Sequence, residues 1–487
     1  MARNGRSAAH SRRWSRADDG CGAAKLSHSL TSPSSRHRRA GAGATPGPIP
    51  GPIPGPIPRP IPGPIPGQFP AETACLTALA FVLPLWEAPK NILCALYGLL
   101  WLINRVRTRD FGGRWDGWDT LIAIWLASGF VVAAGAAIHY SEWRGAMDLV
   151  RYGAVLWAVK RARYGEPELR WVFLALVASG VVGLAMGYWD VLVTHKRIWL
   201  ELQSVGQVNH SSVYLAILLG ATAGCTAAYW RDMNGAARAV AAFVCALFGV
   251  SLIYMSSRGA AGAEAVFLLV LALVWLRRSR RAAFTVVVAL AVAVGGSVAL
   301  KFGFVQKEAA QEQSAAGILS WRDRIWRMAW EEWKLHPWFG VGMDNYSRIK
   351  VEDFAAEQAA QHHPVDRDRF LDAPHAHSLL FNTLAERGIV GALALAAVLL
   401  AWASSLLRHL PRNASPPVVW AVWSSAASAW VITVVAGLAN TTLHHEHGIL
   451  ACLMLGAWLG VLRAGARRPG AAADAMPAEE PPYIATA

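Results

Sequence analysis

Residues 377–400, HSLLFNTLAERGIVGALALAAVLL, run from a polar loop into an apolar segment of helical length. Gly388 follows His377 by eleven positions, about three turns of an α-helix, which would place both residues on one helix face, with Gly391 roughly on the same face. Glycines in a membrane helix allow a neighbouring helix to approach closely. We therefore expect a histidine at the water-facing mouth of a tightly packed bundle, where an imidazole can exchange a proton near neutral pH.

Apolar segments of this kind recur along most of the chain. Hydrophobic residues make up 54% of the sequence and charged residues only 16%, whereas a soluble protein has about 25% charged residues. We predict an all-α polytopic membrane protein with about twelve transmembrane helices of roughly 15 to 22 residues each. The predicted helices begin near residues 71, 91, 118, 144, 169, 211, 238, 259, 282, 378, 417 and 447.

These helices divide the chain into five segments: residues 1–70, spans 1–9 in residues 71–302, a large helical loop in residues 303–377, spans 10–12 in residues 378–464, and a tail in residues 465–487. The first segment is arginine-rich and contains a Gly-Pro-Ile-Pro repeat, which is typical of disordered sequence. Its glycines recur at every fourth position, so a collagen helix is excluded. We expect this segment to lie outside the fold and the first span to act as an uncleaved anchor.

The distribution of positive charge predicts the orientation. The net charge of +14 is explained by arginines beside membrane helices and in the N-terminal segment, so we expect no nucleic-acid partner. One set of alternate connections carries nineteen lysines and arginines and the other only five, which places both termini in the cytoplasm. The loop 303–377 and most unusual polar residues then face the opposite side. This pattern favours an extracytoplasmic reaction site over a transporter, whose charges would lie near the midplane.

Two arginines are candidates for binding phosphate. Arg258 lies in Ser-Ser-Arg-Gly at the outer end of a predicted span, and Arg322 begins a segment with tryptophans at helical spacing, which predicts an amphipathic helix. A guanidinium presents planar paired donors that match phosphate oxygens and stays charged at any relevant pH. The alternative is that Arg258 extends to the membrane interface and that Arg322, Arg324 and Arg327 contact lipid headgroups.

Other polar residues give weaker signals. The His444, His445 and His447 cluster has no standard zinc spacing, and we expect it to lie at the mouth of the site. Asp366 and Asp368 are typical of solvated loop charges, and the intramembrane Glu264 receives no assigned role. The cysteines have neither a metal-site nor a disulfide pattern. We predict no metal and no cofactor.

The sequence resembles the O-antigen ligase family, whose superfamily also contains O-antigen polymerases and bacterial O-linked oligosaccharyltransferases. The family motif is His, then Asn, Ser or Gln, nine residues, Gly, two residues, and Gly, Thr or Tyr; it matches His377 to Gly391 without a gap. The surroundings of Arg258 and Arg322 resemble the family's arginine sites, and the segment containing Asn209 and His210 is also ligase-like. The likeness covers about residues 71–464, with the large loop between spans 9 and 10 as in twelve-span lipid A-core ligases.

This resemblance implies a reaction at the periplasmic face of the bacterial inner membrane, surrounded by membrane lipids. A glycan on undecaprenyl pyrophosphate would be transferred to a hydroxyl of the lipid A-core oligosaccharide. His377 would act as general base, with His375 as the rival base, while Arg258 and Arg322 would bind the pyrophosphate without a metal. Direct displacement would invert the sugar carbon. The remaining candidate substrate-binding residues are Arg324, His375, Asn209 and His210.

Three other functions remain open. An O-antigen polymerase would use the same fold, donor and leaving group with a second lipid-linked glycan as acceptor. A protein O-oligosaccharyltransferase often carries an additional C-terminal region, whereas this chain ends soon after its last predicted span. A polysaccharide flippase or exporter would have internal repeats and charges near the midplane.

Overall fold

The computed structural model describes residues 69–136, 141–276, 321–360, 362–363 and 365–466. Within these ranges the chain forms thirteen α-helices and two short 3₁₀ helices without a strand, which confirms the predicted all-α class. The helices are α1 Pro70–Val82, α2 Glu87–Thr108, α3 Gly117–Ala136, α4 Ser141–Ala162, α5 Glu166–Leu192, α6 Val208–Tyr229, α7 Gly235–Tyr254, α8 Arg258–Leu276, α9 Arg322–Leu335, α10 Val351–Ala360, α11 Leu379–Arg408, α12 Pro417–Ala436 and α13 His445–Ala466. The 3₁₀ helices are Tyr346–Arg348 and Arg367–Arg369.

Eight of these helices are long and apolar enough to cross a membrane: α3, α5, α6, α7, α8, α11, α12 and α13. They confirm a polytopic membrane protein. Helix α1 has only 13 residues, and the 22-residue helices α2 and α4 are more polar. The predicted span near residue 282 and the predicted disorder of residues 1–68 lie outside the described residues. The total of twelve spans therefore stays a prediction.

Helices α6 and α12 form the centre of the bundle, and in each of them 78% of an apolar stretch of 18 residues is buried. Small residues allow their close approach: Gly220 of α6 faces the Ser428 hydroxyl of α12, and Gly224 faces the Ser424 side chain. The Ser428 hydroxyl also donates to the Ile217 carbonyl of α6 at 3.2 Å. Since α6 begins where α12 ends, this antiparallel pairing brings the start of α6 beside the loop that leads into α13.

Ion pairs connect α13 to the rest of the bundle at both of its ends, and the pair near its start is buried. Near its start, Glu446 pairs with Lys90 of α2 and accepts a hydrogen bond from Ser204 at 2.7 Å. Near its other end, Arg463 reaches Asp116 at 2.8 Å. A buried charge is tolerated only when it is paired, so these contacts fix the helix in position.

Helix α11 is broken at Gly388, where φ is 56° and ψ is −160°. The segment 337–341 enters this break: the Ile389 amide donates to the Pro337 carbonyl at 2.8 Å, and the Val341 amide donates to the Ala385 carbonyl at 2.8 Å. His377 precedes the helix in left-handed backbone, with φ 47°. The prediction that His377 and Gly388 share a helix face is therefore wrong, and the close neighbour that Gly388 admits is a loop rather than a helix.

Candidate functional site

Six histidines from three segments meet at one end of the bundle. The histidine cluster consists of His210 at the start of α6, His375 and His377 before α11, and His444, His445 and His447 at the start of α13. The His210 ring centroid lies 5.8 Å from that of His375 and 6.0 Å from that of His444, and the rings of His375 and His444 are 5.3 Å apart. The structure brings His210 and His375 into contact with the histidines around the start of α13, and the position of these histidines at the mouth of the site stays a prediction.

The first turns of α11 hold the loop that carries His375 and His377. Ser378 caps the helix, and the Ala376 amide between the two histidines donates to the Asn382 side-chain carbonyl at 3.0 Å. The Asn382 amide in turn donates to Glu386 at 3.0 Å. Ala376 is fully buried. The direction of both imidazoles is thus set by a local hydrogen-bond chain rather than by a regular helix.

A direct hydrogen bond joins two members of the histidine cluster. His210 Nδ1 lies 3.1 Å from His447 Nε2, and both side chains are buried. A hydrogen bond between two imidazoles needs one N–H donor and one unprotonated nitrogen. At least one of the two rings is therefore neutral.

Burial and neighbouring positive charge keep the loop histidines unprotonated. Burial lowers the pKa of His375 to about 4 and holds the pKa of His444 well below its usual value. The pKa of His377 is lowered by burial and also by the Arg322 guanidinium. At neutral pH these imidazoles are in the form that accepts a proton.

The second feature of the site is a pair of arginines beside His377. Arg322 begins α9, and burial together with the Arg258 guanidinium lowers its pKa. The buried Arg322 Nε has no hydrogen-bond partner among the described residues. Arg258, Arg322 and His377 therefore form an electrostatic group, in which Arg258 acts on Arg322 and Arg322 acts on His377. The Arg322 Nε–H has no acceptor among the described residues, and a bound anion would supply one.

Helix α9 is held in place by aromatic contacts with α11 and the following loop. Trp326 stacks on Phe381 with ring centroids 5.5 Å apart, and the Tyr346 hydroxyl donates to the Ile325 carbonyl at 3.0 Å. The tryptophans of this segment recur at helical spacing, and the observed helix α9 confirms the amphipathic helix predicted here. These contacts bring Arg322 toward the loop before α11.

The other candidates occupy different positions. The side-chain oxygen of Asn209 accepts a hydrogen bond at 3.2 Å from Ser257, the residue that precedes Arg258. The Arg324 guanidinium lies over the Trp321 ring, 4.4 Å from the centroid. Neither Glu264 oxygen has a hydrogen-bond partner among the described residues. Among all the residues that the structure describes, no three His, Cys, Asp or Glu side chains are arranged to hold a metal ion.

Sequence reasoning missed the polar residues behind the histidine cluster. Asn382, Glu386 and Arg387 lie within the predicted tenth span, and with Asp344 they line a cavity of about 90 Å³. The sequence did contain a signal, the adjacent Glu386 and Arg387 within an apolar segment. Charged side chains are energetically unfavourable inside a membrane, so their presence indicates a function or a specific partner. Asp344 gave no such signal in a loop rich in charge.

Residues 241–396 match the family model described as O-antigen ligase. This match agrees with the resemblance found in the sequence. The matched segment contains Arg258, Arg322, His375 and His377, but it ends before the histidines of α13 and begins after Asn209. No curated protein matches the chain at a significant level.

Proposed function

We propose that this chain, whose residues 241–396 match the O-antigen ligase family, transfers a glycan from undecaprenyl pyrophosphate to a hydroxyl of the lipid A-core oligosaccharide. The reaction takes place at the periplasmic face of the bacterial inner membrane. The observation that carries this proposal is the electrostatic group formed by Arg258, Arg322 and His377. A proton acceptor beside two guanidinium groups is what glycosyl transfer from a diphosphate requires.

The arginines are assigned to the leaving group. As the bond between the sugar carbon and the pyrophosphate oxygen breaks, negative charge develops on that oxygen. Arg258 and Arg322 bind the diphosphate through paired N–H donors and stabilise this charge. The unpartnered Nε of Arg322 supports the assignment, because a buried guanidinium donor without an acceptor is costly unless a ligand supplies one. No metal is required in this scheme.

His377 is assigned as the general base. Its neutral imidazole takes the proton of the acceptor hydroxyl while the hydroxyl oxygen attacks the sugar carbon and the pyrophosphate departs with its bonding electrons. A single displacement of this kind inverts the configuration at that carbon. Burial and the Arg322 charge lower the pKa of His377, which favours the unprotonated base before the reaction.

His375 is the rival base within the same loop. Burial lowers its pKa to about 4, and its ring packs against His210 and His444. The Arg322 guanidinium lies close enough to His377 to lower its pKa further than burial alone does, so we assign the base role to His377. We assign His375, His210 and Asn209 to the surrounding substrate site.

The orientation of the site rests on the positive-inside pattern. Nineteen lysines and arginines on one set of connections against five on the other favour cytoplasmic termini. The histidine cluster then faces the periplasm, where nucleotide sugars are absent and a lipid-linked donor is available. A cysteine introduced at exposed Leu438, followed by labelling with a membrane-impermeant thiol reagent, tests this orientation.

Reconstitution tests the reaction itself. Purified protein in lipid vesicles is incubated with undecaprenyl-pyrophosphate glycan and purified lipid A-core, with a chelator present. The proposal expects glycan joined to lipid A-core and release of undecaprenyl pyrophosphate. A longer lipid-linked glycan formed from donor alone would instead identify an O-antigen polymerase, whose donor and leaving group are the same.

A further inference from the structure

A cavity of about 90 Å³, lined by both polar and apolar side chains, lies beside His444 of the histidine cluster. Its wall combines Asp148 of α4, Asp344 of the loop after α9, Glu386 of α11, and Thr441 and His444 of the loop before α13. A water molecule occupies about 30 Å³ of the liquid, so the cavity holds about three water molecules. It connects to the site through His444, whose ring is 5.3 Å from that of His375.

Three residues that line the cavity carry buried polar atoms with no hydrogen-bond partner among the described residues: Thr441, Arg387 and, at its Nδ1, His444. The Thr441 hydroxyl oxygen belongs to a residue that is only 5% exposed, and the Arg387 Nε belongs to a residue that is 8% exposed. A terminal nitrogen of Arg387 donates to Ser128 at 2.9 Å, which leaves Nε unsatisfied. Native proteins rarely leave such groups unpaired, so the cavity is prepared for a polar occupant.

The charge of the cavity is opposite to that of the arginine pair. Three carboxyl groups line it, those of Asp148, Asp344 and Glu386, with the Arg387 guanidinium among them. Asp148 is paired with Arg151, whereas the pKa of Asp344 is raised by burial and by the Asp148 carboxylate, against the opposing effect of His445, Arg144 and Arg348. The cavity wall thus carries carboxylate acceptors suited to hydroxyl groups, whereas Arg258 and Arg322 carry guanidinium donors suited to an anion.

We propose that this cavity is the acceptor subsite and that it binds the hydroxyl-bearing edge of a neutral sugar ring. The assignment rests on the proposed function. Carboxylates and the Thr441 hydroxyl accept hydrogen bonds from sugar hydroxyls, which replace the water molecules of the empty cavity. The same carboxylates disfavour the diphosphate of the donor, which the guanidinium groups of Arg258 and Arg322 attract, so charge distinguishes the two substrates. The acceptor sugar therefore carries no phosphate or carboxylate next to the reacting hydroxyl.

Asp344→Asn is the principal test. Asp344 has a positive φ of 62°, which asparagine also adopts, so the backbone is preserved while the charge is lost. We expect KM for lipid A-core to rise about ten- to hundred-fold, as for loss of a hydrogen bond to a charged group, and KM for the lipid-linked donor to stay unchanged. The matched control is Asp353→Asn on the exposed surface of α10, which should leave both values unchanged.

A second variant tests the acceptor subsite independently of Asp344→Asn. Thr441→Val keeps the side-chain shape and removes the hydroxyl, so it should raise KM for lipid A-core alone. Unchanged acceptor KM in both variants, with active wild-type protein, would overturn the subsite and leave a cavity that holds only water. A rise in donor KM of the same size would also overturn it. If wild-type protein forms no product at all from donor and acceptor, the proposed function itself fails, which is a distinct result.

Discussion

Replacing Gly388 by alanine should separate the loop 337–341 from α11. The φ of 56° and ψ of −160° at Gly388 belong to a region that is essentially restricted to glycine, and adopting it costs another residue about 1–3 kcal/mol. The added carbon would overlap the Trp338 carbonyl and lie 2.6 Å from the Phe339 nitrogen. These are backbone atoms, so no side chain can turn away to relieve the contact.

Relief requires the loop to move, which breaks the hydrogen bonds from Ile389 to Pro337 at 2.8 Å and from Val390 to Trp338 at 3.2 Å. Each backbone bond contributes about 0.5–1.5 kcal/mol. With the backbone strain, the free energy of unfolding should fall by roughly 2–6 kcal/mol, a large part of the about 5–15 kcal/mol of a typical domain.

Thermal unfolding in detergent measures this change, and amide hydrogen exchange at residues 337–341 localises it. The control is Gly249→Ala in the middle of α7, where an added carbon meets nothing within 4 Å and helix propensity favours alanine. We expect Gly388→Ala to lower Tm and Gly249→Ala to maintain or raise it. Equal Tm and equal exchange for Gly388→Ala and wild type would show that the break in α11 is not formed as described.

Three further predictions concern the loop histidines. Because the Arg322 charge lowers the pKa of His377, Arg322→Gln should move the acidic limb of the kcat profile to higher pH, whereas Arg322→Lys should leave the limb in place; identical limbs for all three proteins would refute the coupling. Asn382→Ala should lower kcat by about tenfold with KM nearly unchanged, since it frees the Ala376 amide that orients the base; an unaltered kcat contradicts the positioning role. Burial lowers the pKa of His375 to about 4, so between about pH 6.5 and 4 the unfolded state binds a proton that the folded state does not. The free energy of unfolding should therefore fall as the pH is lowered through this range. A His375→Gln variant should lose less of it, and an equal loss in both proteins would exclude His375 as the cause.

The apolar helices and the tryptophan-spaced helix α9 could be predicted because both signals are local. A run of apolar residues predicts a buried helix wherever it occurs, and Trp326 and Trp330 recur at helical spacing in any context. The resemblance in sequence also identified His377, Arg258 and Arg322, which the structure brings together. These predictions required no knowledge of contacts between distant segments.

The break in α11 and the pairing of His210 with His447 could not be predicted in this way. Gly388 follows the good helix formers Glu386 and Arg387, and its positive φ accommodates the loop at Pro337, which lies 51 positions earlier. His210 and His447 are 237 positions apart, and only the packing of α6 against α12 and α13 brings them together. The charges of Glu386 and Arg387 were visible in the sequence, but the cavity that they line depends on four other segments.

The most direct test of the central claim compares wild-type protein, His377→Ala and His375→Ala in the reconstituted transfer reaction. Single-turnover rates of undecaprenyl pyrophosphate release are measured with saturating donor and lipid A-core, after the variants have been matched for Tm. If His377 removes the acceptor proton beside Arg258 and Arg322, His377→Ala should lose about 10²–10⁴-fold in rate while His375→Ala retains most of it. A wild-type rate for His377→Ala would contradict the account.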